Sequence, residues 1–148
     1  MIKMSKFGST TYEQIREIEK RYSIKLPEDY KRFLTETDGG RLMLTESNAI
    51  EIPDLGVSVH ADIFFGCNIN IKEVNLFFWM DQFQEDILEH VLLIGDSVEH
   101  GFFVLNCGNE DPGVYYWDDT YALKGSNDEH NTFWIANTFT ELIAKLEK

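Results

Sequence analysis

Positive charge is scarce in the middle of this chain. Between residues 38 and 123 only Arg41 and Lys72 are basic, against 16 acidic residues. The whole chain carries a formal charge of −13. That balance excludes a main role on DNA, RNA or anionic lipid, which need cations to neutralise phosphate. Cysteine is also rare. Cys67 and Cys107 are the only two, and no CxxC spacing exists for a zinc or redox site, although one disulfide stays open. Three prolines and ten glycines rule out collagen and low-complexity linkers. Long apolar runs are missing. Leu76–Met80 is the longest, far short of the roughly 20 residues that span a bilayer. Met1–Thr10 lacks the apolar stretch of a signal peptide. These absences lead us to expect a soluble, cytoplasmic protein that binds neither nucleic acid nor membrane.

Enough is present to fold. Apolar residues make up 43% and aromatics 14% of 148 residues. A chain of that length forms one domain and buries about 68–70% of its unfolded surface. We expect a single domain over 1–148, with 1–9 as a flexible arm.

Local patterning places the elements. Thr10 and Glu13 have capping-box spacing, and Tyr12, Ile15, Ile18 and Tyr22 then form one helical stripe. Pro27 suits the first turn of a second helix. Glu28 and Asp29 complement its positive end, and Tyr30, Phe33 and Leu34 line its buried side. Gly39 or Gly40 suits the left-handed cap that closes it. The runs Leu42–Leu44, Ile50–Ile52 and Ile63–Phe65 are punctuated as strands. Asn70 and Glu73 have cap spacing before a helix at about 71–84, apolar around much of its circumference, with a strand over Leu76–Met80 as the alternative. Such a helix is deeply packed or faces a partner, and it offers a face for a homodimer. Val91–Ile94, Gly101–Leu105 and Val114–Trp117 read as strands, and Phe133–Ile135 as a short apolar segment. Thr138 and Glu141 cap a closing helix whose stripe is Phe139, Leu142, Ile143 and Leu146. The fold class is α+β: a mostly antiparallel twisted sheet with an N-terminal helical hairpin, a middle helix and a C-terminal helix.

No catalytic constellation emerges. Walker, Rossmann, HExxH and GxSxG patterns are absent. Three of the four histidines directly follow a glutamate: Glu89-His90, Glu99-His100 and Glu129-His130. Chain neighbours diverge, so these are not metal pairs. Asp118-Asp119 is the most suggestive carboxylate pair, but acid–base chemistry needs two carboxyls converging across a cleft. Asn109–Gly113 lacks a calcium-loop frame. We expect a non-catalytic protein with no cofactor and no metal.

The stretch Ile15–Gly40 (IREIEKRYSIKLPEDYKRFLTETDGG) resembles the opening of the SUKH superfamily. That group includes bacterial proteins related to the fungal Smi/Knr cell-wall assembly regulators. The matching residues are Glu19, Leu26-Pro27, Glu28-Asp29, Tyr30, Phe33-Leu34 and Gly39-Gly40. Val91–Ser97, Phe102–Leu105, Val114–Asp118 and Phe139–Leu146 resemble the family's later blocks. Val98-Glu99-His100 departs from its Gly-rich turn. The resemblance implies a bacterial immunity protein of a polymorphic or contact-dependent toxin system. Such a protein binds a toxin domain, often a nuclease, and the resemblance transfers no catalytic or binding residue.

Charge patterning fits that implication independently. Residues 1–37 hold 8 basic and 6 acidic groups, so the acidity belongs to the strand-rich middle. An acidic face suits a cationic toxin and speeds encounter by roughly 10–10³-fold. The candidate contact residues are Asp54, Asp62, Glu110, Asp111, Asp118 and Asp119, with Tyr116 and Trp117 as aromatic anchors. Two other readings stand beside this one: a regulatory adaptor, and a carboxylate-based hydrolase acting through Asp118 or Asp119.

Overall fold

The computed structural model describes residues 2–43 and 48–147. Helix α1 runs over Tyr12–Tyr22 and α2 over Glu28–Thr37. The capping box that starts α1 belongs to Thr11 and Gln14, one residue beyond the expected pair. Thr11 Oγ1 accepts from the Gln14 amide, and the Gln14 side chain accepts from the Thr11 amide. Thr10 is instead buried, and its hydroxyl donates to Asp38 Oδ1 at 2.6 Å. Ile15 and Ile18 face the core, whereas Tyr12 at 72% exposure leaves the stripe.

Pro27 is the residue before α2, where its extended φ and ψ start the helix. The helix ends on Asp38 in the left-handed conformation rather than on glycine. The cost of that backbone is offset by what the carboxylate holds: Asp38 Oδ1 also accepts from the Cys67 amide at 2.8 Å and the Asn68 amide at 3.1 Å. Gly39 follows at φ +76, and a Cβ there would stand 2.3 Å from the Phe64 carbonyl oxygen. A glycine is required at this position by both backbone and space.

The strands are β1 (Met4–Lys6), β2 (Gly40–Leu42), β3 (Ala49–Ile52), β4 (Val57–Phe64), β5 (Val91–Ser97), β6 (Phe102–Asn106), β7 (Gly113–Trp117) and β8 (Thr132–Ala136). All pair antiparallel, in the order β1-β2-β4-β5-β6-β7-β8, with β3 on β4. The N-terminal segment expected as a loose arm thus carries an edge strand, paired Met4 to Leu42 and Lys6 to Gly40. Of the apolar run Leu42–Leu44, Leu44 lies outside the described residues.

Between β4 and β5 the chain makes a 3-10 turn over Lys72–Val74 and then α3 (Leu76–Phe83). The cap is Asn75, not Asn70. Its side chain accepts from the amides of Phe77 and Phe78. The composition of α3 is explained within the domain. Leu76 and Met80 are buried, and Trp79 stacks on Phe65 at 5.8 Å and on Phe83 at 6.1 Å. Helix α4 (Phe139–Leu146) starts at Thr138, which accepts from the Glu141 amide as expected.

Strand alternation divides the core into two layers. One face of the sheet carries Phe64, Phe103 and Tyr116. Here Phe139 of α4 packs on Phe33 at 4.8 Å, Tyr30 at 5.1 Å and Phe64 at 5.9 Å. The other face carries Phe102, Val104, Tyr115 and Trp117, in register as Phe102 with Trp117 and Val104 with Tyr115. Helix α3 covers one end of that second face, with Phe83 at 5.2 Å from Phe102. The β5–β6 turn is pinned to β7, because Tyr116 Oη bonds Ser97 Oγ at 2.6 Å and accepts from the Gly101 amide at 3.0 Å. His100 takes the left-handed seat in this turn, at φ 73. At the far edge, Lys145 Nζ donates to the Ile135 carbonyl of β8 at 2.7 Å. The same ammonium lies 5.4 Å from the centre of the Trp134 ring.

Candidate acidic groove

The part of the second face that α3 leaves uncovered is the floor of a groove enclosing about 1090 Å³. Its walls are three loops: 84–90 after α3, 107–112 between β6 and β7, and 118–131 between β7 and β8. Phe83, Tyr115, Trp117 and Tyr121 give it aromatic surface. Asp86, Glu89, Glu110, Asp111, Asp119 and Asp128 give it charge. Among the described residues no lysine or arginine lines it.

Each wall is held by its own hydrogen bonds. Asn106 Oδ1 accepts from the Gly108 amide at 2.9 Å, and its Nδ2 donates to the carbonyls of Glu110 and Asp111. Tyr115 Oη donates to the Asp111 carbonyl at 2.7 Å. The Cys107 amide donates to the His90 carbonyl at 2.8 Å, tying two walls together. Asp118 shapes the third wall: Oδ1 accepts from the Ala122 amide at 3.0 Å and Oδ2 from the Leu123 amide at 2.8 Å.

Of the residues singled out from sequence, Glu110, Asp111, Trp117 and Asp119 meet in this groove. Tyr116 and Asp118 do not contribute surface. Both are 0% exposed, so neither is a contact residue of the folded domain. Tyr116 points away from the groove because its neighbours Tyr115 and Trp117 point into it. Burial raises the Tyr116 phenol to about 12, opposed by its bond to Ser97. Asp118 is a buried turn former, not the exposed acid expected. Asp54, in the β3–β4 turn, is exposed but lies outside the groove lining, as does Asp62 on β4. Asp62 has another effect. Burial first, and the Asp62 charge second, push Asp96 up to about 7.

Asp119 is unlike its neighbour. It is half-buried, and its Oδ1 is shielded from solvent with no hydrogen-bond partner. Burial raises its pKa, its own backbone amide opposes this, and the Asp118 carboxylate adds to the rise. An unpaired buried acceptor typically costs about 1–3 kcal/mol.

Phe83, Tyr115, Tyr121, Leu88 and the acids Asp86, Glu89 and Asp128 were not singled out from sequence. Strict alternation would have selected Tyr115 with Trp117 instead of Tyr116 with Trp117. No local signal marks the others, since three separate loops converge to place them. Both cysteines are free, and burial pushes each thiol up to about 12. Among the described residues no group of three or more His, Cys, Asp or Glu side chains has a metal-holding arrangement. Among those residues no helix is long and apolar enough to cross a membrane.

A family model described as SMI1 / KNR4 family (SUKH-1) matches residues 9–145. The chain belongs to the SUKH-1 family. The match includes every element of the SUKH-1 domain that builds the groove, from Phe83 to Thr132. It supports an immunity or Smi/Knr-like role at the level of the family. A search of curated proteins finds no match to this sequence.

Proposed function

We propose that this SUKH-1 protein is a non-catalytic, cytoplasmic immunity protein that binds and neutralises a cationic toxin domain, of nuclease type, through the acidic groove. The observation that carries the reading is the single sign of the groove: six carboxylates over an aromatic floor, with no cation among its described lining residues. A nuclease holds phosphates with lysine and arginine. An anionic groove offers those cations a competing ligand and steers the encounter electrostatically. The aromatic floor supplies the apolar contact area that charge alone lacks.

The test is co-expression with the protein encoded beside it. Rescue of growth and co-purification of the pair are expected, with both lost in the Glu110→Lys, Asp111→Lys double variant. Failure to rescue any adjacent toxin refutes the reading and favours the regulatory adaptor. Hydrolase activity of the purified chain that disappears in Asp119→Asn would refute the non-catalytic part.

A further inference from the structure

We infer that the groove seats an arginine side chain of its protein partner, with the guanidinium laid on the Trp117 ring and paired with the Asp119 carboxylate. The inference deepens the proposed binding function and rests on it.

Four observations point to this occupant. The first is charge: the groove is acidic throughout and brings no cation of its own among the described residues. The ion pairs at Asp81, Glu19, Glu28 and Glu99 all lie outside the groove lining. The second is Asp119 itself. Asp118 spends both oxygens on backbone amides, while Asp119 lies half-buried in the groove lining with no ion pair to a described cation. Burial first, and the Asp118 charge after it, raise its pKa, and a cation placed beside it would oppose both. The third is Trp117. Phe83 meets it edge-on at 5.3 Å and 85°, and Phe102 lies tilted at 5.8 Å. These contacts hold the indole from inside the domain, and the half-buried residue lines the groove. The fourth is the rim, where Leu88 is 80% and Tyr121 48% exposed. They offer apolar contact to the residues flanking the arginine.

The chemistry selects arginine over lysine. A guanidinium is planar and weakly hydrated. It stacks on an indole while its in-plane N–H groups bond a carboxylate. An ammonium is a compact, strongly hydrated point charge and cannot satisfy both surfaces in one plane.

The probe is a capped tetra-arginine peptide titrated into the full chain, with capped tetra-lysine alongside. Binding is read by calorimetry and by the Trp117 indole resonance. Tetra-arginine is expected to bind at least about fivefold more tightly than tetra-lysine and to shift that resonance. Asp119→Asn is expected to weaken it at least about fivefold. Glu36→Gln makes the same charge change on the exposed side of α2 and is expected to change it less than about twofold. Equal binding of the two peptides, or equal loss in Asp119→Asn and Glu36→Gln, overturns the inference. A toxin still captured with unchanged affinity by Asp119→Asn also overturns it, while leaving the immunity reading intact. Tetra-arginine behaving as expected with no toxin captured has the opposite meaning: the seat stands and the immunity reading falls.

Discussion

The helical hairpin at residues 12–37 and the groove around Trp117 treat charge in opposite ways. In the hairpin, charges are used inside the domain. Lys31 sits 3.5 Å from Glu19 and 3.4 Å from Glu28, and Arg21 reaches Asp81 at 3.0 Å. Glu19 also accepts the Leu26 amide at 2.8 Å, and Asp29 holds Thr140 of α4 through its amide and hydroxyl. In the groove, six carboxylates gather without a lysine or arginine among the described lining residues, and one of them keeps a buried oxygen without a hydrogen bond. Like charges placed together oppose folding. The hairpin offsets its charges within the domain, and the groove leaves its own unmatched, as the proposed function requires.

The largest expected effect comes from breaking the hairpin's side. Phe139→Ala removes the ring that joins α2, α4 and β4. It should lower unfolding free energy by about 3–5 kcal/mol in urea denaturation. An equal loss from Glu110→Lys would erase the distinction between the two regions. The second effect belongs to the groove. Glu110→Lys with Asp111→Lys should slow toxin association about tenfold or more and flatten its salt dependence in stopped-flow mixing. Urea stability should stay level or rise. A fall in stability would show these acids to be structural.

The third prediction sharpens the comparison at β4–β5. Folding raises the Asp96 pKa, so its stabilising contribution is complete below about pH 4. That contribution is lost as pH climbs through about 7. Asp96→Asn keeps the acceptor for the Ile63 amide and cannot ionise. It should be more stable than the parent at pH 8 by about 1–2 kcal/mol, with the gain gone at pH 4. A gain independent of pH would refute this cause. The smallest effect is Thr11→Ala, which removes one cap of α1. It should cost about 0.5–1 kcal/mol in thermal unfolding and leave binding unchanged.

How far the sequence could be read depended on how local each feature is. Both hairpin helices, the closing helix and strands β5 to β7 follow from periodicity that lies within each segment. Thr138 capped as its spacing suggests. Thr10 did not, because a carboxylate distant in the chain, Asp38, claims its hydroxyl. Asn75 displaced Asn70 as a cap for a similar reason: Leu76 docks its amide on the Gly66 carbonyl at 2.7 Å, which sets where α3 can begin. The acidity of the middle segment was visible in composition. Which acids share a surface was not, since the groove is assembled from three loops joined by backbone bonds such as Cys107 to His90. Asp118 and Asp119 illustrate the limit. Adjacent in sequence and identical in type, they differ only in which way the turn after β7 aims them.

The lysine at the end of the sheet has a consequence for how the protein meets other chains. Strand β8 ends the hydrogen-bonded order of the sheet beside β7, and a strand in such a place can invite a neighbour to add its own. Lys145 occupies the Ile135 carbonyl, and its ammonium brings charge to this border of the sheet. A lysine in that place discourages edge-to-edge pairing between copies of the chain. Under the proposed function, contact would fall on the face of the sheet, where the carboxylates are, and not on its margin.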